Sequence, residues 1–433
     1  MTARVVLPGG SLGILGGGQL GRMMALAART LGYQVQALDP DSTCPARSVV
    51  DRCITASFSD TAAAEDLARA CDVVTLEIEK VSLATLNAVA RHTPMRPGAD
   101  VLSVVQHRGR QKAWLAKGGF PLGPWREANS EAELSAAITA MGGKCFIKSS
   151  EGGYDGRGQY EVKGASEAGV AWKELGERSV VVEAALDLKA ELSVLVARGP
   201  DGQLAVYPPA FNHHEDRILA WSLLPGPLPE AVLSQASQVA RDITSGLKVE
   251  GLLVVEMFLL GDGSLLVNEV APRPHNSFHS TEVACLTSQF EQAVRAVCNL
   301  PLGSVEVVRP AAIVNLLGDL WLNEGGPRFE QVLAMPGVRL HLYGKRVRGD
   351  RGGQGGHARR TGVQDAGGQG RPHRRVDGGG ARQRGVGPEG PGAAERRPQG
   401  GHRAAQGIAA AHRVHPGRRH RAGGQEGLPC LRG

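Results

Sequence analysis

The chain has 433 residues, 42% hydrophobic and 21% charged, with a net charge of +6, enough for two or three domains with substantial cores. No apolar run approaches the roughly 20 residues of a membrane span. Glycines and a proline break up the N-terminal MTARVVLPGGSLGILGG where a signal peptide would be apolar, and the seven cysteines form no C-x-x-C. These features argue against a membrane protein, a zinc site or a disulfide framework, and favour a reducing cytoplasm.

The basic charge is uneven. Residues 351–433 hold 16 Arg, no Lys and five acids, a net +11, so residues 1–350 carry −5. Any electrostatic case for nucleic acid therefore belongs to the tail alone.

Taken in order, residues 12–16 (LGILG) read as an apolar strand. Gln19–Leu31 places Leu20, Met23, Met24, Ala27 and Leu31 at helical spacing and stops at Gly32. Between them Gly16, Gly18 and Gly21 fit G-x-G-x-x-G, the turn of a dinucleotide site. A second strand (33–38) closes on Asp39, 18 residues beyond Gly21, near where a ribose-binding acid would sit. A helix over 62–70 and a strand over 72–76 extend a β-α-β-α-β run with a parallel sheet. To this point a dehydrogenase is a live reading.

The continuation departs from that pattern. Residues 106–117 read as one basic helix, and an amphipathic helix begins near Ser130. The strand CFIK (145–148) ends in Lys148 and runs into the Gly-rich loop SSEGGYDGRGQY. A lysine before such a loop suits a triphosphate grip, because glycine lets backbone N–H groups come close to phosphate; a mobile surface loop is the bland alternative.

Residues 252–260 and 264–270 are apolar strands around Gly261-Asp262-Gly263, a hairpin signal. If Leu260 pairs with Leu265, Glu256 faces Glu269. Like charges opposed in a sheet are destabilising, so the pair calls for a cation or a raised pKa, unless both carboxylates splay into solvent. Mg²⁺ shared with phosphate oxygens fits. Downstream, APRPHNSFH gathers Arg273, His275, Asn276 and Ser277 in a loop suited to a phosphorylated substrate.

Beyond Gly344 there is no Phe, Tyr or Trp, and residues 351–433 contain 23 Gly. Such a stretch does not bury enough apolar surface to offset its ordering entropy. Its mixture is what GC-rich codons yield out of register, so the tail is read as frameshifted and disordered. The competing reading, an Arg/Gly RNA-binding tail, lacks the usual stacking aromatics.

In sequence order GGGQLGRM, VTLEIE (74–79), Lys148, GGYDGRGQ (152–159), VEMF (255–258), NEVAPRPHNS (268–277) and HLYGK (341–345) resemble the N5-carboxyaminoimidazole ribonucleotide synthetase family, ATP-grasp enzymes of purine biosynthesis. The resemblance implies an α/β protein: a pre-ATP-grasp parallel-sheet domain (1–110), an ATP-grasp domain (111–300) and a partial C-terminal domain (301–350) that gives way to the tail. It implies ATP-dependent carboxylation of 5-aminoimidazole ribonucleotide by bicarbonate through carboxyphosphate, in a cytoplasmic homodimer using ATP and Mg²⁺ (or Mn²⁺), with no nucleic-acid or membrane partner.

By the same resemblance, ATP contacts Arg108, Lys148, the lid Gly153, Tyr154, Asp155, Gly156, Arg157, Gly158 and Gln159, the adenine connection Glu183, Ala184, Ala185 and Leu186, and Glu191, His214, Asn268 and Glu269. Glu256 and Glu269 bind the metal. Tyr154, Asp155, Arg157, Arg273, His275, Asn276, Ser277 and Lys345 lie at the ribonucleotide, with Lys148, Arg273 and Asp155 as the catalytic set. By this resemblance the first glycine turn is real strand-turn-helix geometry but not a nicotinamide site; it would face the substrate cleft, its helix start assisting an anion.

Three departures stand out. Phe278 replaces the family's usual glycine and is expected to crowd the substrate loop. Lys80 replaces a commoner asparagine. The basic stretch after HLYGK dissolves into the tail, so impaired activity is expected. The rival readings are a sister ligase such as the formate-dependent glycinamide ribonucleotide transformylase, a dehydrogenase, and an RNA binder acting through the tail.

Overall fold

The computed structural model describes residues 4–152, 158–317, 320 and 327–343. Strands β1 (Ser11–Leu15), β2 (Gln34–Asp39), β3 (Arg52–Thr55) and β4 (Val73–Leu76) alternate with helices α1 (Gln19–Thr30) and α2 (Thr61–Arg69). They form a parallel sheet in the order β3-β2-β1-β4. β1 and β4 are buried along most of their length, as expected of parallel strands covered on both faces. Helix α3 (Leu83–Ala90) completes this region.

The stretch read as one basic helix is two. α4 (Ala99–Val105) ends, and α5 (Arg108–Lys117) restarts on His107, whose Nδ1 accepts from the Arg110 N–H at 3.2 Å. The side-chain cap satisfies one orphan donor and resets the axis, so α5 turns its face to the sheets that follow.

A small antiparallel sheet, ordered β5-β8-β6-β7, comprises β5 (Trp125–Ala128), β6 (Cys145–Ser149), β7 (Gln159–Val162) and β8 (Val180–Ala184). Helices α6 (Glu131–Ala140) and α7 (Ala168–Glu174) close its own core around Leu134, Ile138, Ile147 and Trp172. The helix expected to begin near Ser130 does so, and Ser130 caps α6, accepting from the Glu133 N–H.

A second antiparallel sheet runs β14-β13-β9-β11-β12-β15, with β10 also on β9. Its strands are β9 (Leu188–Arg198), β10 (Leu204–Val206), β11 (Ala210–Glu215), β12 (Ile218–Leu224), β13 (Gly251–Leu260), β14 (Leu265–Ala271) and β15 (Ala311–Val314). Helices α8 (Glu230–Gly246), α9 (Thr281–Ala284), α10 (Gln289–Val297) and α11 (Phe329–Leu333) complete the described residues. One core joins this sheet to the first domain: Leu12, Met24 and Tyr33 pack in the same cluster as Leu195, Val254 and Phe290. Arg96 secures the junction, with Nε 2.8 Å from Glu250 and Nη1 donating to the Val297 carbonyl.

The cysteines at 44, 53, 71, 145, 285 and 298 are free thiols. Among the described residues no helix is long and apolar enough to cross a membrane.

The first glycine turn is a genuine strand-turn-helix, and three of its amides are taken within the fold. Gly18 and Gly21 N–H donate to the two oxygens of Glu77 at 2.7 and 2.8 Å, and Gly17 N–H donates to Asp39 at 2.7 Å. The group at the start of α1 is thus the chain's own Glu77 carboxyl, and Asp39 is committed to the turn. This agrees with the motif not being a nicotinamide site, because three amides of the turn are used within the fold.

Gly21 is required here because a Cβ would lie 2.5 Å from the Gly16 carbonyl oxygen. Gly21→Ala is therefore expected to cost about 1–3 kcal/mol by overpacking. Urea unfolding measures it, and a midpoint equal to the parent's would contradict the close approach.

Candidate active site

The hairpin β13–β14 carries the acids, and its register differs from the simple one. Leu259, not Leu260, pairs with Leu265, and Met257 pairs with Val267. Asn268 is then an extra residue, a β-bulge, after which Glu256 faces Glu269. A bulge adds one unpaired residue on one strand, and here it restores the pairing that the assumed turn would have given directly. The predicted opposition holds, for a reason that involves two offsets that cancel.

Glu256 is partly buried, its side chain 17% accessible. Burial would raise its carboxyl, but His275 (Nε2 at 3.1 Å), His214 and the Asn268 amide outweigh it and hold the group at about 2. The protonated-pair alternative is thereby disfavoured, and Glu256 is an anion. Glu269 is more exposed and has the Arg108 guanidinium 3.6 Å away. Two opposed carboxylates are hard oxygen donors of the kind Mg²⁺ prefers. No cluster of three or more metal-binding side chains occurs among the described residues, so further ligands would come from phosphate and water.

Lys148, at the end of β6, reaches across from the small sheet. Its Nζ lies 2.5 Å from Glu183 on β8 and 3.3 Å from the Asn268 amide oxygen. Arg108 opens α5, its backbone N–H donating to the Ser150 carbonyl. Lys148, Arg108, Asn268 and the two acids therefore converge from β6, α5, β13 and β14. Gly158 and Gln159 are at the far end of the lid segment; the expected positions at 153–157, like Lys345, lie outside the described residues.

The strand-to-strand connection Ala184, Ala185 and Leu186 leads from β8 to β9. There Glu191 lies 2.8 Å from His214 Nδ1. Burial opposes protonation of His214, yet the Glu191 carboxylate overrides it and raises the ring's pKa. Glu183 is not directed at open space: its carboxylate is shared between Lys148 and Lys112. Burial raises it, and the two ammoniums bring it down to about 2.

Lys112 was absent from the expected set. The signal was available, since Arg108, Gln111, Lys112 and Leu115 follow the i, i+3, i+4, i+7 spacing of one helix face. A lysine in a basic helix nevertheless reads as solvated by default.

The loop after β14 brings the remaining expected residues together. Arg273 Nε donates to Glu79 at 2.8 Å. Asn276 accepts from Gln19, the residue that opens α1, at 2.7 Å. His275 Nδ1 lies 2.8 Å from Ser277 Oγ, which touches Ser193 Oγ at the same distance. Phe278 does not crowd this loop. Its ring is fully buried, edge-on to Tyr207 at 6.3 Å between centroids. A short 3₁₀ turn over Asn276–Phe278 turns the ring into the core while the neighbouring polar groups stay at the site.

Comparison with known proteins agrees with this arrangement. Residues 10–106 match the ribonucleotide synthetase preATP-grasp domain, 113–290 the ATP-grasp domain, and 311–351 the phosphoribosylaminoimidazole carboxylase C-terminal domain. The N5-carboxyaminoimidazole ribonucleotide synthase of Bacillus subtilis is 37% identical over 346 residues, covering 80% of this chain and 90% of its own. That of Brucella melitensis is 38% identical over 341 residues, covering 78% and 93%.

Among solved structures, an ADP complex of N5-carboxyaminoimidazole ribonucleotide synthetase is similar at TM-score 0.76 and 38% identity, over 84% of this chain and 93% of that one. An Aspergillus clavatus synthase in complex with ADP and 5-aminoimidazole ribonucleotide is similar at TM-score 0.71 and 33% identity, over 78% and 89%. With its three domain types in order and relatives 37% and 38% identical over most of their length, the chain belongs to the N5-carboxyaminoimidazole ribonucleotide synthase family of ATP-grasp enzymes.

Proposed function

We propose that this protein carboxylates the amino group of 5-aminoimidazole ribonucleotide, using ATP and bicarbonate and releasing ADP and phosphate. The observation that carries the reading is one juxtaposition: Glu256 and Glu269 oppose each other, Arg108 lies 3.6 Å from Glu269, Lys148 reaches the adjacent Asn268, and the Arg273–Ser277 loop follows directly on β14, the strand of Glu269.

On this reading Lys148 and Arg108 hold the triphosphate, and Glu256 and Glu269 hold Mg²⁺ or Mn²⁺, which would neutralise charge developing on the phosphate oxygens. Bicarbonate oxygen attacks the terminal phosphorus and ADP leaves. The substrate amine then takes the carboxyl carbon, from carboxyphosphate or from CO₂ released from it, losing a proton while the carbon–oxygen bond to phosphate breaks and inorganic phosphate departs. Positioning and charge suffice for these steps, and no covalent protein nucleophile is needed. Arg273, His275, Asn276 and Ser277 face the ribonucleotide, and a closed 153–159 lid shields the acyl phosphate from water. Glu191 and His214 bind the nucleoside end.

We extend the reading to a cytoplasmic homodimer whose 351–433 segment results from a frame slip and lowers activity relative to an intact relative. The test is phosphate release by the purified chain with Mg-ATP. Release that requires both bicarbonate and 5-aminoimidazole ribonucleotide is the expected result. Release with formate and glycinamide ribonucleotide instead would assign the sister ligase.

A further inference from the structure

Three charged groups meet in a nearly dry space between the two antiparallel sheets. Lys148, Glu183 and Lys112 are 8%, 9% and 5% exposed. Lys112 Nζ lies 2.7 Å from Glu183 Oε1, and Lys148 Nζ lies 2.5 Å from Oε2. The two lysines are held differently. Lys148 is otherwise bonded only weakly, at 3.3 Å to the Asn268 side chain. Lys112 also donates to the Asn268 backbone carbonyl at 3.0 Å.

Lys112 is moreover anchored through its own helix. The adjacent Gln111 pairs with the outer edge of β14 as a neighbouring strand would, accepting from the Val270 N–H at 3.1 Å and donating to the Val270 carbonyl at 3.3 Å. α5 is thus registered against the edge that carries Asn268 and Glu269.

A buried carboxylate stripped of its only cation is strongly unfavourable. If Lys148 alone neutralised Glu183, moving its ammonium to a phosphate would leave such a group behind. We propose that Lys112 is a positioning residue that stays on Glu183 and so frees the Lys148 ammonium to bind the phosphates of the nucleotide. The inference rests on the ATP-site reading above and adds a residue to it.

Calorimetric titration of MgADP and of adenosine into four proteins tests it: the parent, Lys112→Met, Glu183→Gln and the double variant. Lys112→Met should weaken MgADP binding by about tenfold or more, while adenosine, which has no phosphate, changes less than about threefold. In the Glu183→Gln background, where no buried charge is left behind, the same change should cost less than about threefold in MgADP affinity.

Equal losses in both backgrounds, or an equal loss for adenosine, would overturn the proposal; a merely structural lysine would move the melting temperature and not this difference. Should Lys112→Met not fold, Glu183→Gln and the double variant decide alone: a gap within about threefold supports the role and one above about tenfold overturns it. A parent chain that binds no MgADP would refute the site reading itself, which the comparison between variants does not.

Discussion

Glu269→Ala is expected to lower phosphate release by roughly 10³-fold, since a metal bound by carboxylates supplies several kcal/mol of charge stabilisation in the transition state. The fold should survive, because Glu269 is the more exposed member of the acid pair, with a side chain 40% accessible. Removing it also relieves like-charge repulsion across the hairpin. The distinguishing measurement is Mn²⁺ binding followed by electron paramagnetic resonance beside steady-state rates. Loss of activity with undiminished Mn²⁺ affinity would show that the acid serves something other than a metal. Glu256 is the less clean probe, because its replacement would strand His275 and release Asn268.

Glu77→Ala should show the largest stability effect, and one with a definite pH dependence. The two amides it accepts from would lose their partner in a buried turn, at about 1–3 kcal/mol each. Burial pushes Glu77 up from an ordinary 4.5 to about 7, against the opposing pull of the Gly21 and Gly18 amides. The folded protein therefore binds a proton more tightly than the unfolded chain.

It follows that this titration contributes its full stability below pH 4.5 and loses it as pH rises through 7, by roughly 3 kcal/mol at most. The alanine variant lacks this term. Its deficit against the parent should be larger at pH 5 than at pH 8, read from paired urea titrations. A deficit that widens toward alkaline pH would mean that the ionised form is the one the fold prefers.

Much of the architecture was legible in the order of residues. The parallel strands β1, β2 and β4, the helix start near Ser130, the lysine near the end of β6 and the Gly-Asp-Gly hairpin all follow from periodicity and turn chemistry, which act over a few residues, whereas the short strand β3 (Arg52–Thr55) was not read. The resemblance to the synthetase family added the three-domain order and the candidate site residues. The helix break at His107 was missed, because a basic run continues through it and only the cap marks the restart.

Other features depended on contacts far apart in the chain. The bulge at Asn268 corrects the hairpin register, and strand parity carries no mark of where an extra residue is inserted. Phe278 turns into the core because Tyr207, 71 positions earlier, offers a ring for it. The glycine turn fits a dinucleotide motif by pattern alone, and its sequence does not show that Glu77, from a neighbouring parallel strand's end, takes two of its amides. Local pattern thus determined the elements and the kind of chemistry. Which charges are paired, which are spent on structure and which remain for a ligand was decided only when separate elements met, because burial and electrostatic partners are properties of the assembled interior.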